Sequence, residues 1–476
     1  MANKSFDAIV IGGGPGGYPC AIRLGQLKQK VLVVEKEYVG GVCLNWGCIP
    51  SKALIAASGL YERILHAEKM GITAQGVHID IGKMQDWKEG IVKKLTSGVA
   101  TLIKANGGEI VMGTARVTGP KSVEVTKADG TKETFEATKA IVVATGATPI
   151  ELPHLKIDGE TVITARQAVS MREAKGTMIV VGGGVIGMEL GMVYQKLGMK
   201  VIVVELLDQL LGTTDPDLVQ VVQKAFEKAG GEVLLKTKAT NLRVENKKAM
   251  LTVELPDGAK RDIEADKVLV SIGFRPNGKG IGLEEIGVNL DQRGHVLVDD
   301  KLQTNVKGVY AIGDVSGAPY LAHKATKEGE IVAEVIAGKK SARDWRTMPS
   351  AIFTEPEIAT TGMSERDAKA AGKKVKLGKF PFSVLGRAMA IDSTEGFVKV
   401  ILDEQTNEVL GVAIVGPEAS DLISEASLAI EMCAFAEDVA MTIHPHPTLG
   451  EGVMEAFHQA LGHAIHTNNR PPRPSV

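Results

Sequence analysis

The feature of this chain that most constrains its fold is a glycine-rich unit that occurs twice. The first copy has an apolar run at Phe6–Ile11, a turn that reads Gly-Gly-Gly-Pro-Gly-Gly, a helix-like segment and a second apolar run that ends in Glu35. The second copy begins at Ile179 and places Gly182 where the first has Gly12, an offset of 170 residues. A strand, a glycine turn, a helix and a strand in this order form a βαβ unit of the G-x-G-x-x-G type. The predicted fold class is therefore α/β, with two Rossmann-like domains.

Each position of the unit has a physical task in binding a dinucleotide. The first glycine makes the tight turn, the second lets the backbone approach a pyrophosphate, and the third lets the helix pack closely on the strand. The helix N-terminus holds the negative charge, and the terminal acid accepts hydrogen bonds from ribose hydroxyls. The positions are Gly12, Gly14, Gly17 and Glu35 in the first unit and Gly182, Gly184, Gly187 and Glu205 in the second. The sequence thus predicts two dinucleotide sites.

Directly after the first unit, residues 40–52 read Gly-Gly-Val-Cys-Leu-Asn-Trp-Gly-Cys-Ile-Pro-Ser-Lys. Cys43 and Cys48 can pair only if their Cα atoms lie within about 7 Å. On a regular helix five steps rise about 7.5 Å and leave the side chains on different faces. The stretch is therefore not regular helix if the cysteines pair, and Gly47 and Pro50 suit a distorted first turn. This places Cys48 near a helix N-terminus, where the helix dipole favours a thiolate.

The cysteine pair could also be half of a metal site or a plain structural pair. A metal site is disfavoured because no second Cys/His pair with ligand spacing follows, so we predict no metal. The chain has four cysteines, and in a reducing compartment a closely spaced pair is more often catalytic than structural. A redox-active dithiol is the favoured interpretation. The remaining cysteines, Cys20 and Cys433, are predicted to be buried core thiols.

The order of the motifs also assigns a cofactor to each site. Flavins exchange electrons readily with thiolates, whereas nicotinamides transfer hydride. Because the dithiol follows the first unit directly, we expect FAD at the first site and a nicotinamide at the second. Glu205 would repel a 2′-phosphate, and no arginine follows it closely. NAD is therefore favoured over NADP.

Size and composition indicate a multidomain globular protein. At roughly 150 residues per domain, 476 residues suggest about three domains. A net charge of −2 argues against a nucleic-acid partner, which would need a basic face, and 4% aromatic residues give few stacking platforms. We find neither a signal peptide nor an apolar run of about 18 residues, since the best candidate, Met178–Tyr194, contains a glycine turn and Glu189. We therefore expect a soluble, cytoplasmic protein without a membrane partner.

Near the C-terminus, residues 444–451 read His-Pro-His-Pro-Thr-Leu-Gly-Glu. Two histidines between prolines could be a metal fragment or a rigid loop. The prolines hold the imidazoles in an extended segment just ahead of a helix, where Glu451 could orient one ring. Since the dithiol needs a proton acceptor elsewhere in the chain, a catalytic His–Glu pair is favoured.

Along essentially its whole length the chain resembles the pyridine nucleotide–disulfide oxidoreductases, and most closely the dihydrolipoamide dehydrogenases among them. The resemblance rests on both glycine units, the cysteine motif and the runs Ala-Thr-Gly, Tyr-Ala-Ile-Gly-Asp-Val, Leu-Ala-His-Lys-Ala and His-Pro-His-Pro-Thr-Leu-Gly-Glu. The cysteine motif is highly specific to the family. The last run is similar to His-Ala-His-Pro-Thr-Leu-Ser-Glu, and its two replacements touch no reacting side chain.

The resemblance implies roles for further residues. It implies a homodimer in which His446 and Glu451 act at the partner subunit's disulfide, with Cys43 as the interchange thiol and Cys48 as the thiol next to the flavin. It places Lys52 beside the flavin, paired with Glu189. The residues that it assigns to FAD are Lys52, Ala115, Thr145, Gly146, Asp314 and Ala322, and those that it adds to the NAD site are Glu189 and Gly273.

The predicted domains are a FAD-binding domain at 1–150, a NAD-binding domain at 151–275, a central domain at 276–346 that completes the FAD site, and a C-terminal α+β dimerisation domain at 347–476. Predicted helices include Ile55 to about Met70 and Trp87–Asn106. Asp314 follows an apolar strand and could either bind a polyol or cap the next helix. The proline-rich C-terminal tail is predicted to be disordered.

The predicted function is oxidation of protein-bound dihydrolipoyl groups with reduction of NAD+. The resemblance implies lipoyl domains and the acyltransferase core of 2-oxoacid dehydrogenase complexes, or the lipoyl protein of glycine cleavage, as partners. One alternative is a related NAD(P)H-dependent disulfide reductase. Glutathione reductase uses NADPH, against which Glu205 argues, and mercuric reductase needs a C-terminal cysteine pair that this chain lacks. The other alternative is a flavin-containing structural subunit of a multienzyme complex.

Overall fold

The structure is a computed structural model that describes residues 4–469. The chain forms two compact units. One comprises the residues up to Leu152, Thr164–Glu173 and Ile272–Asp344, and the other comprises Pro153–Ile163, Ala174–Ser271 and the residues from Trp345 onward. The division into four domains remains a prediction.

The helices and strands follow one another in this order along the chain. Up to Pro149 they are β1 (Lys4–Ile11), α1 (Gly17–Gln26), β2 (Val31–Glu35), α2 (Gly41–Asn45), α3 (Cys48–Leu65), α4 (Ile81–Ala105), β3 (Glu109–Met112), β4 (Thr114–Gly119), β5 (Ser122–Thr126), β6 (Lys132–Val143) and β7 (Ala147–Pro149). Then come β8 (Val162–Ile163), α5 (Ala165–Ala168), β9 (Thr177–Val181), α6 (Val185–Lys196), β10 (Lys200–Val204), α7 (Pro216–Lys228), β11 (Glu232–Leu234), β12 (Lys238–Glu245), β13 (Lys248–Glu254), β14 (Lys260–Ala265), β15 (Lys267–Val270), β16 (Phe274–Pro276), β17 (Val309–Ala311) and α8 (Ala322–Ile336). The last are β18 (Ser350–Ile352), β19 (Glu357–Gly362), α9 (Glu365–Ala370), β20 (Val375–Pro381), α10 (Gly386–Ala390), β21 (Phe397–Asp403), β22 (Val409–Gly416), α11 (Ala419–Glu431), α12 (Ala436–Met441) and α13 (Glu451–Ala460).

The first unit is built on a seven-stranded sheet of order β3-β2-β1-β6-β5-β4, with β17 also paired to β6. The strands β3, β2, β1, β6 and β17 are parallel, whereas β4, β5 and β6 form an antiparallel meander. Ala8, Ile9 and Val10 of β1 are fully buried, which explains why this part of the strand is continuously apolar: a central parallel strand is covered on both faces. The carboxyl ends of these strands carry the first glycine turn.

The second unit repeats this arrangement and adds an antiparallel sheet. Its parallel sheet has the order β11-β10-β9-β15-β8 and carries the second glycine turn, with the meander β12-β13-β14 beside it in sequence. The C-terminal residues form a five-stranded antiparallel sheet of order β18-β19-β22-β21-β20. Helices α11 and α13 pack on that sheet and bury an apolar core around Phe380, Phe382 and Phe457. The predicted class, two Rossmann-like domains plus a C-terminal α+β domain, is confirmed.

Local details differ from prediction in three places. The helix predicted from Ile55 to about Met70 is α3, which already begins at Cys48 and ends at Leu65, and a separate 3-10 turn follows at Ala67–Met70. Helix α4 begins at Ile81, six residues before the predicted Trp87, because the Asp80 side chain accepts a hydrogen bond from the Lys83 amide and caps the helix. Cys20 is buried as predicted, but the prediction that Cys433 is a core thiol is wrong, since this side chain is exposed. Cys433 follows the last turn of α11 in the left-handed conformation that ends many helices, with a φ of 54°. The last residues of the predicted disordered tail, 470–476, lie outside the described residues.

Candidate active site

The cysteine stretch folds as two helices with a break between them, as predicted. Helix α2 ends at Asn45 and α3 begins at Cys48, so the chain changes direction between the two cysteines. The break brings the Cα atoms of Cys43 and Cys48 to 4.6 Å, and the two residues form a disulfide. Gly47 lies at the break, where an added Cβ would lie 3.0 Å from the carbonyl oxygen of Val42. Cys48 is the first residue of an 18-residue helix, where the helix dipole stabilises a thiolate.

The first glycine turn has the geometry that its glycines predict. Gly12 has a φ of 105°, and a Cβ built there would lie 2.3 Å from the carbonyl oxygen of Ala144. A Cβ on Gly17 would lie 1.8 Å from the carbonyl oxygen of Gly12, so α1 can approach the strand only without a side chain. The Gly40 amide donates a hydrogen bond to the Gly13 carbonyl at 2.8 Å. The first glycine turn and the cysteine stretch therefore form one continuous site.

The second glycine turn reproduces the first. Gly182 has a φ of 102°, and a Cβ on Gly187 would lie 2.2 Å from its carbonyl oxygen. A Cβ on Gly184 would meet no atom within 4 Å, so this side of the turn is open to a ligand. Two backbone turns that exclude side chains at the same two positions fit the pyrophosphates of two dinucleotides.

The acids at the ends of β2 and β10 have matching environments. Glu35 accepts hydrogen bonds from the amides of Gly13 at 2.7 Å and Glu37 at 2.8 Å. Glu205 accepts from the amides of Gly183 at 2.6 Å and Leu207 at 2.7 Å. Each carboxylate is thus fixed beside its glycine turn, and each oxygen keeps a lone pair for a ribose hydroxyl. After Glu205 the chain presents exposed leucines, Leu206 and Leu207, and not a cation that could bind a 2′-phosphate.

The residues that the resemblance assigns to FAD lie at different points of the first unit. Thr145 Oγ1 donates to the Asn277 carbonyl at 2.9 Å, and Asn277 returns hydrogen bonds to the carbonyls of Thr145 and Gly146 at 3.0 Å. Ala115 packs its side chain into the core of the sheet, so only its backbone can contact a ligand. Asn277 thus fixes the backbone of the consecutive residues Thr145 and Gly146. The sequence motifs did not single out Asn277. Lys52 lies in the second turn of α3 and is partly buried.

Asp314 occupies a 3-10 turn, Gly313–Ser316, at the end of β17. It does not cap the following helix, because the N-cap of α8 is Leu321 and Ala322 is the first helical residue. Burial raises the pKa of Asp314 to about 6, an effect that Lys324 opposes and Glu328 increases. A largely desolvated carboxyl of this kind gains most from ligand groups that donate hydrogen bonds.

Glu189 and Gly273 are the other two residues that the resemblance assigns to NAD. Glu189, on α6, is buried and accepts a hydrogen bond from the Phe353 amide at 2.9 Å. Its pairing with Lys52 remains a prediction. Gly273 has a φ of 114°, is exposed and bonds to the Ile150 amide through its carbonyl at 3.0 Å.

His446 and Glu451 form the pair that the sequence predicts. The His446 Nδ1 atom lies 2.8 Å from Glu451 Oε1, and the other carboxylate oxygen accepts from the Thr448 amide at 2.8 Å. Burial acts to raise the pKa of Glu451, but these two hydrogen bonds outweigh burial and hold the pKa below its usual value. Glu451 is therefore ionised and orients an Nδ1–H donor, which leaves Nε2 of His446 as a base. The imidazole is 80% exposed and accessible to a substrate.

Two further observations concern the residues from 4 to 469. Within them, no group of three or more His, Cys, Asp or Glu side chains has the geometry to hold a metal ion. Over the same residues, no helix combines the length and the apolar character that crossing a membrane requires.

Comparison with known proteins gives matches over nearly the full chain. The family model described as pyridine nucleotide-disulphide oxidoreductase matches residues 6–329, and the model of the dimerisation domain of these enzymes matches 348–457. The chain is 46% identical to the dihydrolipoyl dehydrogenase of Halobacterium salinarum, with 98% of each chain covered. It is 44% identical to that of Geobacillus stearothermophilus, with 97% of each covered. The crystal structure of LpdA from Mycobacterium tuberculosis superposes with a TM-score of 0.88 at 29% identity, covering 95% of this chain and 99% of the other.

Proposed function

Because the chain belongs to the pyridine nucleotide–disulphide oxidoreductase family, we propose that it oxidises protein-bound dihydrolipoyl groups to the lipoyl disulfide and reduces NAD+ to NADH. The observation that carries this proposal is the Cys43–Cys48 disulfide next to the first glycine turn. The segment that contains the disulfide is joined to that turn by a hydrogen bond from the Gly40 amide to the Gly13 carbonyl. Similarity at 44–46% identity to dihydrolipoyl dehydrogenases over nearly the whole length supports the choice of substrate.

The proposed chemistry begins with disulfide exchange at Cys43. Nε2 of His446, with Glu451 on its other nitrogen, takes the proton of one substrate thiol. The thiolate attacks the sulfur of Cys43, the Cys43–Cys48 bond breaks, and Cys48 leaves as a thiolate at the N-terminus of α3. The second substrate thiol then attacks the substrate sulfur of the mixed disulfide and closes the lipoyl ring, and its proton passes to Cys43, which leaves as a thiol.

The enzyme uses FAD and NAD. FAD bound at the first site would supply a two-electron acceptor for the reduced cysteine pair, whose disulfide would then re-form, and a hydride donor to NAD+. We propose that Gly12, Gly14, Gly17 and Glu35 hold the FAD pyrophosphate and ribose, and that Lys52, Ala115, Thr145, Gly146, Asp314 and Ala322 contact the rest of this cofactor. We propose that Gly182, Gly184, Gly187, Glu189, Glu205 and Gly273 form the NAD site. The exposed leucines after Glu205 support NAD over NADP.

The dimerisation-domain match supports a homodimer. Within it we propose that His446 and Glu451 act at the disulfide of the partner subunit. The proposal extends to lipoyl domains and the acyltransferase core of 2-oxoacid dehydrogenase complexes, or the lipoyl protein of glycine cleavage, as partners. We also propose that the protein acts in the cytoplasm, because a reducing environment suits a catalytic dithiol.

The test is NADH formation by the FAD-loaded dimer with dihydrolipoamide as donor and NAD+ or NADP+ as acceptor. We expect turnover with NAD+, none in Cys43→Ser, and a loss of about 10²–10⁴-fold in kcat/KM in His446→Gln. His78→Ala, at an exposed loop position, serves as the control. A yellow, folded dimer that does not oxidise dihydrolipoamide would refute the substrate assignment. Preferential alkylation of Cys48 in the two-electron-reduced enzyme would overturn the assignment of the two thiols.

A further inference from the structure

The loop between α12 and α13 contains a second histidine whose hydrogen bonds are unusual. His444 is nearly buried, with 6% of its side chain exposed. Its Nδ1 atom lies 2.8 Å from the Thr442 carbonyl oxygen, and its Nε2 atom lies 2.8 Å from Oε1 of Glu425 on α11. A Cβ added to Gly450 would lie 3.6 Å from the Cδ2 atom of His444, so the ring faces the end of the loop. The ring therefore bonds to the start of the loop and to a neighbouring helix.

Both neighbours of this ring are hydrogen-bond acceptors. One is the Thr442 carbonyl within the loop and the other is the Glu425 carboxylate on α11. An imidazole N–H can donate to either of them. The ring therefore has a polar partner at each nitrogen, and Glu425 is 38% exposed.

The position of His444 in the loop gives its two hydrogen bonds a function. The imidazole of His446, two residues later, is 80% exposed and is bonded through Nδ1 to Glu451. A ring this exposed has few packing contacts to fix it, so its location depends on its backbone. On the C-terminal side, the Thr448 amide is held by Glu451 at 2.8 Å. On the N-terminal side, the loop is held by His444.

We propose that His444 is a positioning residue: by bridging Glu425 and Thr442 it fixes the loop that presents His446 to the substrate. This inference rests on the proposed role of His446 as the base. A base that is displaced by about 1 Å can lose on the order of 10²-fold in rate. Because Glu425 is partly exposed, water can solvate it when the ring is removed, so the fold is expected to survive the substitution.

The experiment separates the two half-reactions of the FAD-loaded dimer by stopped-flow absorbance of the flavin. In His444→Ala and in Glu425→Ala, reduction by dihydrolipoamide is expected to slow about 10–100-fold, whereas reduction by NADH stays within twofold. In Glu425→Gln the amide can donate to Nε2 of a neutral ring and preserve both bonds, so this variant should stay within about threefold of wild type. His78→Ala controls for removal of an unrelated imidazole. The double variant His444→Ala/Glu425→Ala should be no slower than either single variant.

Three outcomes would overturn the proposal: unchanged reduction by dihydrolipoamide in His444→Ala, equal slowing of both half-reactions, or a Glu425→Gln enzyme as slow as Glu425→Ala. His446→Gln is measured alongside the other variants. If His446→Gln keeps full activity, the proposed base is wrong. If it is inactive while His444→Ala is normal, only the positioning role is wrong.

Discussion

Replacing Lys399 by methionine should destabilise the second unit more than any surface change. The Lys399 side chain, on β21, is 3% exposed and lies 2.9 Å from Asp215, 2.9 Å from Asp217 and 3.4 Å from Glu365. Burial acts to lower the pKa of Lys399, but the carboxylates, Asp217 foremost, outweigh burial and raise it. The amine is therefore charged at neutral pH, and methionine removes the charge while keeping most of the volume.

The size of the stability loss depends on which partners each of the three carboxylates keeps when the amine is removed. Glu365 is 46% exposed and can be hydrated, and Asp217 keeps the Lys379 amine at 3.2 Å. Asp215 is 5% exposed and loses its cation, although its Oδ2 still accepts from the Glu365 amide at 3.3 Å. One uncompensated buried carboxylate costs about 3–5 kcal/mol. Because the hydrogen bond from the Glu365 amide to Asp215 remains, the expected loss of stability lies near the lower end of this range, at about 3 kcal/mol.

Native-state hydrogen exchange measured by mass spectrometry is the suitable assay, because a multidomain flavoprotein does not unfold in two states. A loss of about 3 kcal/mol corresponds to exchange roughly 100-fold faster in peptides from β21 and α7. Adding Asp215→Asn should recover about 2 kcal/mol, since the stranded charge is removed. Lys379→Met is the matched control, because this amine touches the same Asp217 but is 48% exposed; its cost should be about 1 kcal/mol or less. Acceleration below fivefold in Lys399→Met, or no recovery in the double variant, would refute the reasoning.

Three further predictions concern the cofactor sites. The affinity of the apoprotein for FAD, measured by flavin fluorescence, should fall by up to tenfold per pH unit below about pH 6. The reason is that the raised pKa of Asp314 leaves this side chain protonated there, whereas ligand hydroxyl groups donate to the carboxylate form. Asp314→Asn should flatten this dependence. Gly17→Ala should lose bound FAD, seen as flavin absorbance per protein, whereas Gly90→Ala in α4, where a Cβ meets no atom within 4 Å, should keep it. Glu205→Gln should raise KM for NAD+ about tenfold while kcat with dihydrolipoamide changes little, and an unchanged KM would argue against ribose binding by this residue.

The sequence predicted those parts of the site that depend on local geometry. The glycine turns, the break between α2 and α3 and the Glu451–His446 pair each involve residues within a few positions of one another, and the structure has them as expected. The acids Glu35 and Glu205 were also identified, although their bonds to the amides of the glycine turns span 22 residues. For these acids the repeated unit itself provided the signal, because the same spacing between glycine turn and acid occurs in both copies.

Contacts between segments that are distant in sequence were not predictable in this way. The Lys399–Asp215 pair spans 184 residues, and each partner reads as an ordinary surface charge until the fold buries it. His444 was visible in its motif, but its partner Glu425, on α11, is one of several acids on a helix whose orientation the sequence does not fix. Cys433 was misjudged for a local reason: whether a residue at the end of a helix is buried depends on the next turn of the backbone.

The two glycine turns are nearly identical in geometry, so the cofactor that each site serves is decided by the segment after the turn and not by the turn itself. After β2 the chain returns to the first turn, where a Cβ on Gly41 would lie 2.7 Å from the Cα of Gly14, and continues at once into the disulfide helices. After β10 the chain also returns to its turn, where the Leu211 amide donates to the Gly183 carbonyl at 2.9 Å, but this segment carries exposed leucines, Leu206 and Leu207, and no cysteine. A cofactor at the first turn is therefore next to the disulfide segment, whereas the second turn offers a hydrogen-bonding acid and an apolar surface. One βαβ design thus provides two dinucleotide sites, and the segment after its second strand distinguishes them.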